Sequence, residues 1–71
     1  MNLLLLEPDE IGPDGVARLA DRRARHLRDV LAVQPGREVR AGLVEGPLGR
    51  ARVRSVEGEA VELAFRATGP V

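Results

Sequence analysis

His26-Leu27-Arg28-Asp29-Val30-Leu31-Ala32-Val33-Gln34-Pro35-Gly36-Arg37-Glu38 is the stretch whose reading decides the fold. A basic, amphipathic segment runs into a Pro-Gly pair and then straight into an alternating pattern. Upstream, Ala20, Ala24, Leu27 and Leu31 recur at spacings of four, three and four, with Val30 beside them, so the spacing predicts one apolar helical stripe over residues 21–33. Asp21 suits the N-cap, where its carboxylate meets the positive end of the helix dipole. Asp21 and Arg25 stand four apart, acid before base, on the predicted solvent side. Pro35-Gly36 stops the helix, because proline pushes Gln34 out of the helical region.

Period two takes over after residue 38. Val39, Ala41 and Leu43 alternate with Arg40 and Gly42. Ala51 and Val53 oppose Arg50, Arg52 and Arg54, and Val61, Leu63 and Phe65 alternate with Glu62 and Ala64. These patterns predict strands over residues 39–44, 51–56 and 60–65. Glu45-Gly46-Pro47-Leu48-Gly49 reads as a turn and Glu57-Gly58 as a tight hairpin. Before the helix, the run Leu3-Leu4-Leu5-Leu6 reads as a strand buried on both faces, and residues 16–19 as another short strand. The turn formers of residues 8–15 lie between them as a loop. Five short strands and one helix hide their apolar faces by curling into a small barrel that the helix plugs or flanks. The expected fold is thus mainly β, a five-stranded barrel with one principal helix.

Charge is polarised in a chain whose formal net charge is zero. Residues 18–28 hold five arginines against one acid, whereas residues 1–17 hold four acids and no base. A local basic patch is what an anionic partner would meet. All eleven basic residues are arginine. The planar guanidinium grips phosphate through two bonds at once, but arginine also accumulates alongside Ala, Gly and Pro in GC-rich genomes, so position has to carry the reading.

Seventy-one residues make one domain at most. An apolar fraction of 44% is that of a folded chain, despite 31% charged residues. There is no cysteine and a single histidine, which excludes disulfides, thiolate sites and a histidine-rich metal site. The four-leucine run is too short to span a membrane and lacks the basic start of a signal peptide, so a cytoplasmic location is expected. Ser55 and Thr68 sit in no nucleophile elbow, and Gly42, Gly46 and Gly49 surround a hairpin rather than a strand-to-helix phosphate loop. A chain this small should fill its interior with its own side chains, leaving no cofactor cavity of ~300 Å³. Binding, not catalysis, is the expected role.

Two basic surfaces stand out. Arg22 and Arg25 point away from the apolar stripe while Arg23, His26 and Arg28 flank it, and Arg50, Arg52 and Arg54 share a strand face near Glu62, which could pair with one of them. Each surface reads either as a solvated face or as a phosphate-binding one. With Arg37 and Arg40 these make the candidate RNA-binding set; no catalytic, cofactor or metal residue is expected in the chain. Phe65 is the only aromatic and lies in a core alternation, so RNA contact would run through backbone and shape rather than base stacking.

The pattern His26-x-x-x-Val30-Leu31-x-x-x-Pro35-Gly36 followed by a strand resembles the N-terminal PUA-like domain of the RsmE family of ribosomal RNA methyltransferases. The opening Met1-Asn2-Leu3-Leu4-Leu5-Leu6-Glu7-Pro8, the stretch Asp21-Arg22-Arg23-Ala24-Arg25-His26 and the hairpin Gly42-Leu43 to Gly46-Pro47-Leu48-Gly49 are similar to one branch of it. The resemblance implies an RNA-docking domain over residues 1–67, with residues 68–71 opening a linker to a C-terminal SPOUT domain. In such a homodimeric enzyme that second domain binds S-adenosylmethionine and methylates N3 of a uridine in small-subunit ribosomal RNA. Many members carry arginine three and six residues after the histidine, where this chain has Asp29 and Ala32. A non-catalytic barrel that supports a dimer or meets an acidic protein is the alternative.

Overall fold

A computed structural model describes residues 3–69. The five strands are β1 (Leu3–Leu6), β2 (Val16–Leu19), β3 (Glu38–Leu43), β4 (Leu48–Glu57) and β5 (Ala60–Ala67), and the one α-helix is α1 (Arg22–Asp29). They form a single sheet in the order β1-β3-β4-β5-β2, curled into a half-barrel. β1 runs parallel to β3, and every other neighbouring pair is antiparallel. The expected mainly β architecture of five strands and one helix is the one observed.

The concave face is closed by Leu4, Leu6, Ala17, Leu19, Ala24, Leu27, Val33, Val39, Ala41, Ala51, Val53, Val61 and Leu63, which form one core. Phe65 and Leu43 pack at its margin, half-buried. Burying that surface is the dominant stabilising term in so small a chain.

Several boundaries differ from the sequence reading. β1 is not buried on both faces: Leu4 and Leu6 point into the core, while Leu3 and Leu5 are exposed. The physical reason is position, since β1 is an edge strand with β3 as its one partner and no second layer over its outer face. Ala20 precedes the helix and is exposed rather than part of its stripe, and Val30 is 67% exposed. The helix closes at Asp29, four residues early. Val30 and Leu31 both donate to His26 O, Ala32 takes a left-handed φ of 50°, and Val33 N–H returns to Leu27 O at 3.0 Å. That reversal drops Val33 into the core.

β4 begins at Leu48, inside the expected turn. Its Gly49 lies against β5 so closely that a Cβ there would overlap Arg66 O, which makes this glycine a strand residue chosen for close approach rather than a turn former. Gly36, at φ 97°, aims its N–H at Val53 O (2.8 Å), while Val53 N–H donates to Arg37 O (2.8 Å), so the Pro-Gly turn is clipped to the middle of β4. Opposite β5, β4 carries a bulge between Val53 and Ser55, with Arg54 as the extra residue. The expected linker start, residues 68–71, is described through Gly69; Thr68 and Gly69 both donate to Leu48 O, and Pro70 and Val71 lie outside the described residues.

Candidate nucleic-acid interface

Asp21 caps α1 as expected, its carboxylate accepting from Arg23 N at 3.0 Å. Ala24 and Leu27, three apart, are buried; Arg22 and Arg25 are exposed and Arg28 is half-buried. Spaced by three, these arginines share one side of the helix and, with Ala20, Asp21 and Glu59 of the β4–β5 turn, line a polar cleft of about 280 Å³. None of the three makes an ion pair among the described residues. Arg28 Nε is buried without a hydrogen-bond partner. A buried guanidinium donor with no acceptor carries a desolvation cost that an anionic oxygen would relieve.

Arg23 behaves differently. Its guanidinium reaches Glu10 (2.8 and 2.5 Å), Asp21 (2.7 Å) and the carbonyl oxygen of Leu5 on the open edge of β1 (2.8 Å). The hydrogen bonds from Arg23 hold the carboxyls of Glu10 and Asp21 below the usual carboxylate range, and those carboxylates in turn push the arginine further up. This side chain ties together the loop after β1, the start of α1 and β1 itself. The Asp21–Arg25 pair expected from i,i+4 spacing is replaced by this network, because the carboxylate is turned toward Arg23. Glu62 likewise pairs across β2–β5 with Arg18 at 3.5 Å, not with Arg50, Arg52 or Arg54.

His26 is exposed and turned toward a second depression. Together with Leu3, Leu5, Arg22, Leu27 and Leu31 it lines a mostly apolar groove of about 420 Å³ between α1 and β1. The groove lies on the surface, not in the sheet's interior, which its own side chains fill. Its size exceeds what the sequence led one to expect, and the exposed leucines of β1 are the cause.

The remaining candidates lie elsewhere. Arg37 is exposed in the Pro-Gly turn, Arg40 on β3, and Arg50, Arg52 and Arg54 on β4, the last at the bulge. Residue register also brings in an arginine that the sequence reading left out: Arg66 sits directly beside Arg50, which sits beside Arg40. The signal for it was parity, since Leu63 faces the core and Arg66 stands at the opposite parity on β5. Among the described residues no group of three or more acidic, histidine or cysteine side chains could hold a metal, and no helix is long and apolar enough to cross a membrane.

A small half-barrel with one capped helix and arginines exposed on both the helix and the sheet defines the class of domain: a compact, mainly β module. The same fold occurs inside larger proteins. The Neisseria gonorrhoeae ribosomal RNA small subunit methyltransferase E, solved bound to S-adenosyl methionine, matches 94% of this chain with a TM-score of 0.70 and 25% identity. A hypothetical protein matches 93% with a TM-score of 0.79 and 14% identity, a likeness of fold alone. The chain spans 27% and 28% of the lengths of those two proteins. No protein-family model and no curated protein matches it. The fold is thus like that of a part of an RsmE-type ribosomal RNA methyltransferase.

Proposed function

We propose that this chain is the PUA-like, RNA-docking domain of a cytoplasmic, S-adenosylmethionine-dependent methyltransferase acting on N3 of a uridine in small-subunit ribosomal RNA. The observation that carries the reading is the cleft where Arg22, Arg25 and Arg28 converge without ion-pair partners and Arg28 Nε is left without an acceptor. The likeness to ribosomal RNA small subunit methyltransferase E supports it. Cofactor binding and methyl transfer belong, in this reading, to a SPOUT domain joined after residue 67 in a homodimeric enzyme. The docking domain contributes substrate binding that lowers the apparent KM.

Docking through phosphate is sequence-tolerant and salt-sensitive. Replacing Arg22 and Arg25 with glutamate should weaken binding to all RNA sequences about equally and reduce the salt slope by ~0.7 to 0.9 per lost contact. Titration of small-subunit ribosomal RNA at several salt concentrations reads this directly, and an unchanged slope removes the helix cleft from the interface.

The groove beside β1 favours a second reading, a barrel that supports a dimer. Exposed Leu3 and Leu5 on an open edge strand suit contact with another copy. Sedimentation across a concentration range distinguishes the two, since a monomer at every concentration removes this reading.

A further inference from the structure

The register of the sheet sets three arginines abreast. Arg40 on β3 lies opposite Arg50 on β4, and Arg50 lies opposite Arg66 on β5. All three are exposed; Arg40 and Arg50 each lie between two buried residues, and Arg66 follows Phe65, which packs against the core, so they stand on the outer face of the sheet. Adjacent strands are ~4.8 Å apart, so the three arginines leave the backbone at strand spacing. At the β1 end the row meets Leu3; on the β2 side the paired register stops at Val16 opposite Ala64, and Asp14 before it accepts from Val16 N and makes no ion pair among the described residues.

The acids that could neutralise it are placed elsewhere. Glu38 is opposite Arg52, one step along β3, and Glu62 is taken by Arg18. Glu45 lies in the link between β3 and β4 and makes no ion pair among the described residues. Like charges directly opposite one another destabilise a sheet, so a row of three is retained against the fold's own interest. Three planar forks in line suit a run of phosphate oxygens, and the half-buried Phe65 is no stacking platform for bases.

We infer that Arg40, Arg50 and Arg66 form a second phosphate-binding row, which follows the backbone of an RNA strand across the outer face of the sheet. It rests on the RNA-docking reading and deepens it, because it gives the RNA a second surface besides the helix cleft. Arg66 enters the interface through this row, and Arg52, facing Glu38, contributes less.

The test uses the 71-residue chain and a short RNA hairpin, titrated over a range of salt. Three variants are compared with the parent: R50Q/R66Q, R22Q/R25Q, and R50K/R66K, which keeps the charge and controls for folding. The expected result is a salt slope lower by ~0.7 to 0.9 per removed arginine in R50Q/R66Q, restored in R50K/R66K. Amide resonances of residues 40, 50 and 66 should shift on RNA addition. A slope lowered only in R22Q/R25Q overturns the sheet row and leaves the docking reading intact. A slope lowered only in R50Q/R66Q supports the row and removes the helix cleft. Absence of RNA binding by the parent chain overturns both.

Discussion

Arg23 is the one arginine of the basic helix that the fold spends on itself. It is 27% exposed at the side chain and bonds two carboxylates and a backbone carbonyl. Charge-assisted bonds are worth more than surface pairs where the partners are partly shielded from water, as Arg23 and Glu10 are; Asp21 is half-exposed and adds less. Replacing Arg23 with glutamine should cost about 1–2 kcal/mol in chemical denaturation, since Glu10 and Asp21 are then left facing each other. The acid limb follows from the same contact. Both carboxyls titrate below their ordinary values when folded, so their contribution is fully present above pH ~4 and is lost as pH falls through the depressed values. Thermal melts between neutral pH and about pH 3 should show stability falling with acid in the parent. The fall should be shallower in R23Q; parallel curves would mean that the network contributes nothing.

At the scale of elements, the sheet face and the helix divide the charged residues by different rules. The helix puts Arg22, Arg25 and Arg28 together through its own period, and its cap Asp21 is satisfied locally. The sheet puts Arg40, Arg50 and Arg66 together only through pairing between strands distant in sequence. Arg50 is the central member, flanked on both sides by like charge. Substituting it with threonine, which suits a strand and removes both repulsions, should stabilise the free chain by about 0.5 kcal/mol, or about 3 °C in Tm. A lower Tm for R50T would show that the row is not strained. β1 obeys a third rule: its register is set by β3, and its leucines are exposed where no second layer covers the outer face of the sheet.

For the molecule as a whole, the proposed division of labour rests on where open space lies. The half-barrel's interior is filled by Leu6, Leu19, Val53, Val61 and Leu63, and the apolar depression beside α1 is a surface groove walled by leucines, Arg22, Arg23 and His26. S-adenosylmethionine carries a positively charged sulfonium, and a groove with two arginines and no acidic lining residue is poorly suited to it. Calorimetry of this chain with the cofactor should therefore give no saturable heat. One-to-one binding would place cofactor chemistry in this domain and refute the proposed division.

The sequence by itself determined what depends on neighbours a few residues away. The cap at Asp21, a helix after it, a turn at Pro35-Gly36, the hairpin at Gly58 and the alternation of Val39, Ala41, Val53, Val61 and Leu63 were legible because helix and strand periods are local properties; the helix stop expected at Pro35-Gly36 was not, since α1 already ends at Asp29. The mainly β, five-stranded outcome followed from counting those elements. Tertiary structure alone decided which strands became edges and that only one face of β1 is covered, so that Leu3 and Leu5 are exposed while Leu4 and Leu6 are buried. It decided that Gly49 serves close approach to β5 rather than a turn, and that the helix ends at Asp29 and the chain reverses at Ala32 so that Val33 reaches the core. It also chose partners for charge: Arg23 for Glu10, thirteen residues away, and Arg50 beside Arg40 and Arg66. Long-range pairing is paid for by burial of the whole core, so no local window of sequence contains the information that selects it.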